Sequence, residues 1–391
     1  MVTFLSRWLI QDYDRPEDPE VRRKYGVLCG SVGIGLNILL FLAKFFAGTI
    51  SGSIAITADA FNNLSDAGSS LVTIVGFKLA GQKPDPSHPF GHGRMEYLSG
   101  LAVSVLILLM GFELLQSSVD KIRHPAAIEF SWLSVVILLL GIGGKLYMSY
   151  YNRAVGNKIN SAAMKATAAD SLSDSISTAA VLVATLIAHF FSVNIDGWVG
   201  VAVACFILYA GYNAAKDTID PLLGQAPDPE LVADVEKTVL SFPPIQSIHD
   251  MIVHDYGPGR LMISLHAEVP ADGDLLEMHD TIDLVEQTLR EKFHCDAVIH
   301  MDPIVTNDEQ VLKMRSKMHQ LVQVIDKRIT VHDFRMVTGP THTNLIFDVA
   351  CPFDVKQTDE EIKTQVEKIV DLLDGNYNAV VTVDRIYAAK D

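Results

Sequence analysis

Asn62 and Asp66 stand four residues apart in one apolar stretch, and Asp170 and Asp174 stand four apart in another. Residues i and i+4 of a helix share a face, one turn apart. Two such helices face to face would set one amide carbonyl and three carboxylates around a single point. An ionisable side chain at membrane depth costs about 2.5–3.5 kcal/mol on insertion scales. Three or four carboxylates, Asp59 being nearby, would cost on the order of 10 kcal/mol if unpaired. A divalent cation would cancel most of that charge. The alternative is pairing with Lys44 and Lys145 in neighbouring apolar stretches, which would neutralise two carboxylates but would not explain the duplicated spacing. An all-oxygen donor set suits Mn²⁺, Mg²⁺ or Ca²⁺, whereas zinc usually takes nitrogen or sulfur. Mn²⁺ is therefore preferred, with Fe²⁺ its nearest competitor.

Two more constellations have metal-ligand chemistry. The segment KPDPSHPFGHGRMEY places Asp85, His88 and His92 close together, with Gly91 and Gly93 allowing a tight turn. Such a loop either holds a small metal site or simply exposes solvated histidines. Further along, His249, His266, His279, His300 and Asp302 fall on separate elements, and strand alternation puts His300 and Asp302 on one face. This set either binds one or more cations or decorates the surface of an acidic domain.

The elements that must position these residues are legible from apolar run length. The chain has 391 residues, 49% of them hydrophobic and 20% charged, with a mean hydropathy of +0.24. A helix needs about 20 apolar residues to cross a bilayer. Six stretches qualify, at about Val27–Gly48, Ser53–Leu79, Tyr97–Val119, Trp132–Tyr151, Ala162–Phe190 and Gly197–Ala215. The first 26 residues are polar and show no cleavable signal. Lys and Arg concentrate at the N-terminus and after the second and fourth stretches, which puts both termini in the cytoplasm.

After Pro221 the pattern changes to short β-rich runs alternating with amphipathic helices. IHDMIVHDYGPGRLMISLHAEVP (Ile248–Pro270) and VHDFRMVTGPTHTNLIFDVACP (Val331–Pro352) share an HD pair, a GP pair and a closing Pro. Each is followed by a charged helix and a strand, CDAVIHMDPI and YNAVVTVDRI. The expectation is an α-β-β-α-β unit duplicated in tandem. The second copy keeps His332 and Asp384 but has Asp348 and Thr382 where the first has His266 and His300. It therefore reads as a structural or dimer-forming copy, not as a second intact site. The expected organisation is an N-terminal cytoplasmic segment (1–26), an α-helical membrane domain of six transmembrane helices (27–220), a cytoplasmic α+β domain (221–304) and a second α+β repeat (305–391).

Charge and cysteine usage exclude several classes. From Ala226 onward there are 30 acidic against 15 basic residues, whereas the preceding part has 17 against 16. Nucleic acid is not a partner for a domain of that sign. Cys29, Cys205, Cys295 and Cys351 show no CxxC spacing, which points to reduced thiols and not a disulfide scaffold. No nucleophile motif or HExxH is present, so an enzyme is not expected.

Taken together, the paired ligands in stretches two and five, the HPFGHGR loop and the His-bearing C-terminal domain resemble the cation diffusion facilitator family of metal transporters, over about Tyr25 to Pro303. The resemblance implies a homodimer in the cell membrane, with an intramembrane site at Asn62, Asp66, Asp170 and Asp174 in each protomer. It implies a loop site at Asp85, His88 and His92, and a C-terminal site at His249, His266, His279, His300 and Asp302. Zinc members of the family typically carry a His in the stretch-five pair. Asp170 stands there in this sequence, with Asn62 in stretch two, so the chain resembles the manganese branch. The C-terminal imidazoles leave Zn²⁺ and Fe²⁺ open. The expected activity is export of a divalent cation in exchange for protons by alternating access, with a Zn²⁺, Fe²⁺ or Cd²⁺ exporter of the same family and a passive divalent-cation channel as alternatives. A contact of Arg94 with Asp217 or Asp220 would tie membrane and soluble parts together; ordinary juxtamembrane charges are the other reading.

Overall fold

The computed structural model describes residues 6, 8–10, 12–15, 18–51, 54–124, 131–191 and 195–386, so Arg7 and Ser53 lie outside the described residues, as does the side chain of Asp59. The chain divides into two compact units, one formed by residues up to Gln225 with Asp255–Arg260, the other by Ala226–His254 and the residues from Leu261 onward.

Among the described residues the first unit has six long helices: α1 (Pro19–Ser51), α2 (Ile54–Ala80), α3 (Met95–Arg123), α4 (Trp132–Lys158), α5 (Ala162–Phe191) and α6 (Asp196–Leu223). At 1.5 Å per residue each is about 40–50 Å long, more than the about 30 Å of hydrocarbon. Among the described residues, five segments are long and apolar enough to cross a membrane: Glu20–Ala47, Met95–Arg123, Trp132–Lys158, Ala162–Phe191 and Gly197–Leu223. Helix α2, whose first six side chains are not described, is outside that set. The helices outrun their apolar cores because caps fall in polar sequence. Asp18 accepts the Glu20 backbone N–H at 2.7 Å, starting α1 well before Val27. At the C-terminus of the last helix Gly224, with φ +85°, closes α6 in the left-handed conformation.

The helices pack chiefly as α1 on α2, α3 on α6 and α4 on α5. Large apolar side chains such as Leu39, Phe46, Leu109, Phe112 and Leu140 face outward, as expected of a lipid-facing surface. The interior holds small and polar groups. A Cβ at Gly100 would sit 3.0 Å from the Ala163 Cα, so α3 and α5 approach closely there. Arg22 Nη2 donates to Glu96 Oε1 at 2.9 Å and Oε2 at 3.1 Å, and both residues are buried. Breaking a buried pair by removing one partner leaves an uncompensated charge. Arg22→Met is expected to destabilise the unit by about 3–5 kcal/mol. Arg22→Met/Glu96→Leu should recover most of that loss, as read by thermal unfolding in detergent.

Arg94 contacts neither Asp217 nor Asp220: its Nε and Nη2 donate to the Asp255 backbone oxygen at 3.1 and 2.8 Å. Asp220 instead pairs with Lys216, one turn away, at 3.1 Å.

The second unit has α7 (Pro229–Val239), β1 (Ser247–Asp255), β2 (Leu261–Pro270), α8 (Leu275–Phe293) and β3 (Cys295–Ile304), then α9 (Glu309–Val322), β4 (Thr330–Thr338), β5 (Thr343–Pro352), α10 (Asp359–Asp371) and β6 (Tyr377–Ile386). The two halves follow the same order and form separate sheets, β1-β2-β3 and β4-β5-β6. In each, the last two strands are parallel, with His266 beside His300 in the first and Asp348 beside Thr382 in the second. The helices start at side-chain caps: Asp228, Asp274, Asp308 and the Thr358–Glu361 capping box. Ile282, Val285 and Leu289 of α8 cover the first sheet, and Ile362, Val366 and Val370 of α10 the second.

Glu268 joins the halves. It is fully buried on β2, and its carboxylate accepts Ser247 Oγ at 2.5 Å, Arg315 Nη2 at 2.6 Å and the Asp333 backbone N–H at 3.0 Å. Burial alone would raise its carboxyl pKa, but these three donors outweigh burial and hold it below the usual range.

Candidate metal centres

Three groups of potential ligands were expected, and the structure treats them differently. In the first unit, Asp66 on α2 and Asp170 on α5 are buried, and Asp174 is mostly so. Thr73 and Thr167 touch through their hydroxyls at 3.0 Å, linking α2 to α5. Asp66 lies seven residues before Thr73, and Asp174 seven after Thr167. On helices running in opposite directions that places both carboxylates at one depth, about 10 Å from the threonines. Ser149 Oγ donates to the Ala168 carbonyl at 2.9 Å and fixes α4 alongside.

From α4, Lys145 reaches between the two carboxylates. Its Nζ lies 2.6 Å from Asp66 Oδ2 and 2.6 Å from Asp174 Oδ2. Lysine pairing, the alternative to a metal in the sequence, is thus realised for Lys145. Asp170 is 4% exposed, and its Oδ1 makes no hydrogen bond. Asn62 is exposed, whereas Asn63 is 2% exposed. The i, i+4 spacing selected Asn62, which lies about 40° from the face of Asp66, while Asn63 lies about 60° away in the opposite sense.

In the loop between α2 and α3, Asp85, His88 and His92 do come together, with donor atoms within 4.8 Å of one another. Asp85 Oδ1 accepts the backbone N–H groups of Ser87 at 2.8 Å and His88 at 2.7 Å. The His88 N–H, with that of Ser87, holds the Asp85 carboxyl below its usual pKa. His92 Nε2 lies 3.3 Å from Asp85 Oδ2, and His92 Nδ1 is buried without a hydrogen bond. Gly91, with φ +81°, turns the chain between the histidines.

In the second unit Asp302 is the hub. Its Oδ2 lies 2.9 Å from His266 Nδ1 and 3.2 Å from His249 Nε2, and its Oδ1 lies 3.2 Å from His300 Nε2. Burial opposes a charge on His249, but Asp250, Asp302 and Glu268 outweigh it and raise its pKa. His279 stays apart on the exposed face of α8, 3.5 Å from Asp283. His332, Asp348 and Asp384 of the second half also converge, in the half whose sequence has lost two of the histidines of the first. The paired HD dipeptides were the available signal: Asp250 and Asp333 share a left-handed φ of 50° and 49°.

Long apolar helices around buried carboxylates, joined to a histidine-bearing α+β unit, define an integral membrane protein that handles cations. Residues 31–223 match the cation efflux transmembrane domain and residues 227–304 the cytoplasmic domain of cation efflux proteins. The chain is 33% identical over 267 residues to an uncharacterized transporter of Methanocaldococcus jannaschii, across 68% of this chain and 94% of that protein. It is 28% identical over 287 residues to the cation-efflux pump FieF of Klebsiella pneumoniae, across 72% and 95% of the two chains. With the FieF pump of Pectobacterium atrosepticum it shares 29% over 269 residues, across 68% and 89%. The chain belongs to the cation diffusion facilitator family and is a multi-pass cation efflux transporter. The second half of the soluble unit lies beyond the residues matched by either domain family.

Proposed function

We propose that the protein exports Mn²⁺ from the cytoplasm in exchange for protons, by alternating access at Asp66, Asp170 and Asp174, with the amide of Asn62, exposed one turn before Asp66, joining them in the metal-bound state. The observation that supports this most is the charge balance around Lys145. Asp66, Asp170 and Asp174 with the ammonium that contacts two of them, Lys145, leave two negative charges if all are ionised, before the buried Lys44 of α1 is counted. One divalent cation cancels that excess, and so do two protons. Lys145 alone cannot, which is why its pairing with Asp66 and Asp174 does not dispose of a metal. In the inward-facing state the ionised carboxylates take the cation, with the ammonium displaced from between them. In the outward-facing state protons replace the cation, because a carboxylate oxygen does not hold both.

A negative-inside potential opposes export of two charges by about 4.6 kcal/mol at 100 mV. Returning protons offset it. Oxygen donors favour Mn²⁺, with Fe²⁺ next and Zn²⁺ or Cd²⁺ the alternatives. A passive channel is the reading from another class, and close carboxylate ligation argues against it because tight sites conduct slowly. We further propose six membrane crossings, a homodimer in the cell membrane, cytoplasmic termini, and a tandem duplication behind the two halves of the soluble unit. Asp85, His88 and His92, and the Asp302 cluster with His249, His266 and His300, are proposed as accessory cation sites. His279 completes the latter only from another surface, such as a second protomer.

Inverted vesicles with an acidic interior test this reading. An exchanger accumulates Mn²⁺ above the outside concentration, and a channel only equilibrates it. Asp170→His, which adds a nitrogen donor, is expected to shift the Zn²⁺:Mn²⁺ uptake ratio upward by about tenfold or more. An unchanged ratio would remove the oxygen-donor basis for preferring manganese.

A further inference from the structure

The second half of the soluble unit places chemistry where the export reading has no use for it. His332, on β4, is 7% exposed, and neither of its ring nitrogens makes a hydrogen bond. An imidazole always has at least one N–H to donate, so a ring left unmatched in the interior needs an explanation. Its surroundings supply one. His332 Nε2 lies 3.7 Å from Asp384 Oδ2 and 4.0 Å from Asp250 Oδ1. Those separations are too long for hydrogen bonds. Two donors on one tetrahedral ion at about 2.0–2.2 Å stand about 3.3–3.6 Å apart, a few tenths of an ångström inside the separations seen here.

The fourth group comes from the neighbouring strand. The β4–β5 register sets Asp348 opposite His332, and the donor atoms of His332, Asp348 and Asp384 all lie within 4.8 Å of one another. His249, Asp250 and His332 form an overlapping set, with the two imidazoles 4.3 Å apart at their centroids. Asp250 uses its two oxygens differently. Oδ2 meets His249 Nδ1 at 3.2 Å, which leaves Oδ1 turned toward His332. A ligating carboxylate is commonly oriented in this way by an outer hydrogen bond.

Asp250, Asp348 and Asp384 bring three carboxylates to one imidazole, the donor chemistry of a divalent-cation site. The group opens on a cavity of about 660 Å³ whose lining includes His249, Asp250, His332 and Asp384. Arg315 and Arg328 also line it, but they are committed elsewhere. Arg315 pairs with Glu268 at 2.6 Å, and Arg328 with Asp354 at 2.7 Å and Asp326 at 3.1 Å.

We propose that His332, Asp348 and Asp384 of the second half, with Asp250 of the first, form a binding site for a first-row divalent cation at the seam between the two halves. The ion crosslinks the two sheets within one chain. The first half supplies only one of the four ligands, so the second half is a working part of the metal chemistry and not merely a structural copy.

The test reads binding to the full-length protein in detergent, with Zn²⁺ alone as the probe, so its outcome is independent of flux. Asp66→Ala/Asp174→Ala serves as the background, removing the intramembrane carboxylate pair. In equilibrium dialysis, adding His332→Gln or Asp384→Asn should lower bound Zn²⁺ by about one equivalent per chain. The metal-free melting temperature should stay within a few degrees of the background, while the upward shift produced by Zn²⁺ shrinks in both variants. Asp348→Asn, at a third ligand position, should show the same loss if either variant proves unstable. Full Zn²⁺ stoichiometry together with a full Zn²⁺-induced shift in the folded variants would overturn the proposal.

Discussion

Asp66→Ala and Asp174→Ala are each expected to lower proton-driven Mn²⁺ accumulation in inverted vesicles by at least about 100-fold. Each removes a carboxylate from around Lys145, taking the site from two excess negative charges to one. One charge neither balances a divalent cation nor exchanges it for two protons. The pH dependence has a definite sign. Binding releases protons from the carboxylates, so Mn²⁺ affinity rises with pH, by about tenfold per unit for each proton released. Exchange of one Mn²⁺ for two protons moves no net charge, so the rate should be insensitive to a potassium-diffusion potential. If either variant kept wild-type accumulation, or if the imposed potential alone drove uptake, the charge assignment would be wrong.

The sequence revealed the helices better than their faces. Apolar run length found each long helix of the first unit, but it measures hydrocarbon and not hydrogen bonding. Helix α4 therefore runs on through the polar YNRAVGNK to Lys158, and α1 begins at the Asp18 cap. The i, i+4 rule gave α2 and α5 one acidic face each, and Lys145 bridges Asp66 on the first and Asp174 on the second. It selected Asn62, which is exposed, over the buried Asn63 one helical step on, and it could not say that Lys145 would reach both carboxylates. In the soluble unit, alternation gave His300 and Asp302 a common face, as their 3.2 Å contact reflects. The sequence compared the two halves side by side as copies. The seam exists only when they fold against each other, through Glu268 and its contacts to Arg315 and Asp333. A pattern that looks depleted within one copy, Asp348 and Thr382 in place of two histidines, is therefore supplemented by Asp250 from the other.

Lys145→Met should separate a counter-ion from a spectator. Lys145 is 5% exposed and lies within 2.6 Å of two carboxylates, so the methionine variant leaves a buried pair without its cation. Metal-free protein should lose about 3–5 kcal/mol of stability. Mn²⁺ should restore much of it, because it no longer competes with an ammonium for the same oxygens. Apparent Mn²⁺ affinity is expected to rise by about tenfold or more, and the Mn²⁺-induced increase in melting temperature to exceed that of the wild type. Turnover should fall in the same variant. Three carboxylates without the lysine need three protons to return uncharged, so release on the outer side becomes the slow step, and exchange acquires a dependence on membrane potential. Lys145→Arg keeps the charge, yet its planar fork binds carboxylates more rigidly than an ammonium. It should preserve insensitivity to potential while weakening Mn²⁺ binding. Wild-type affinity, rate and potential response in Lys145→Met would show that the ammonium has no part in balancing the site, and the exchange of one divalent cation for two protons would lose its physical basis.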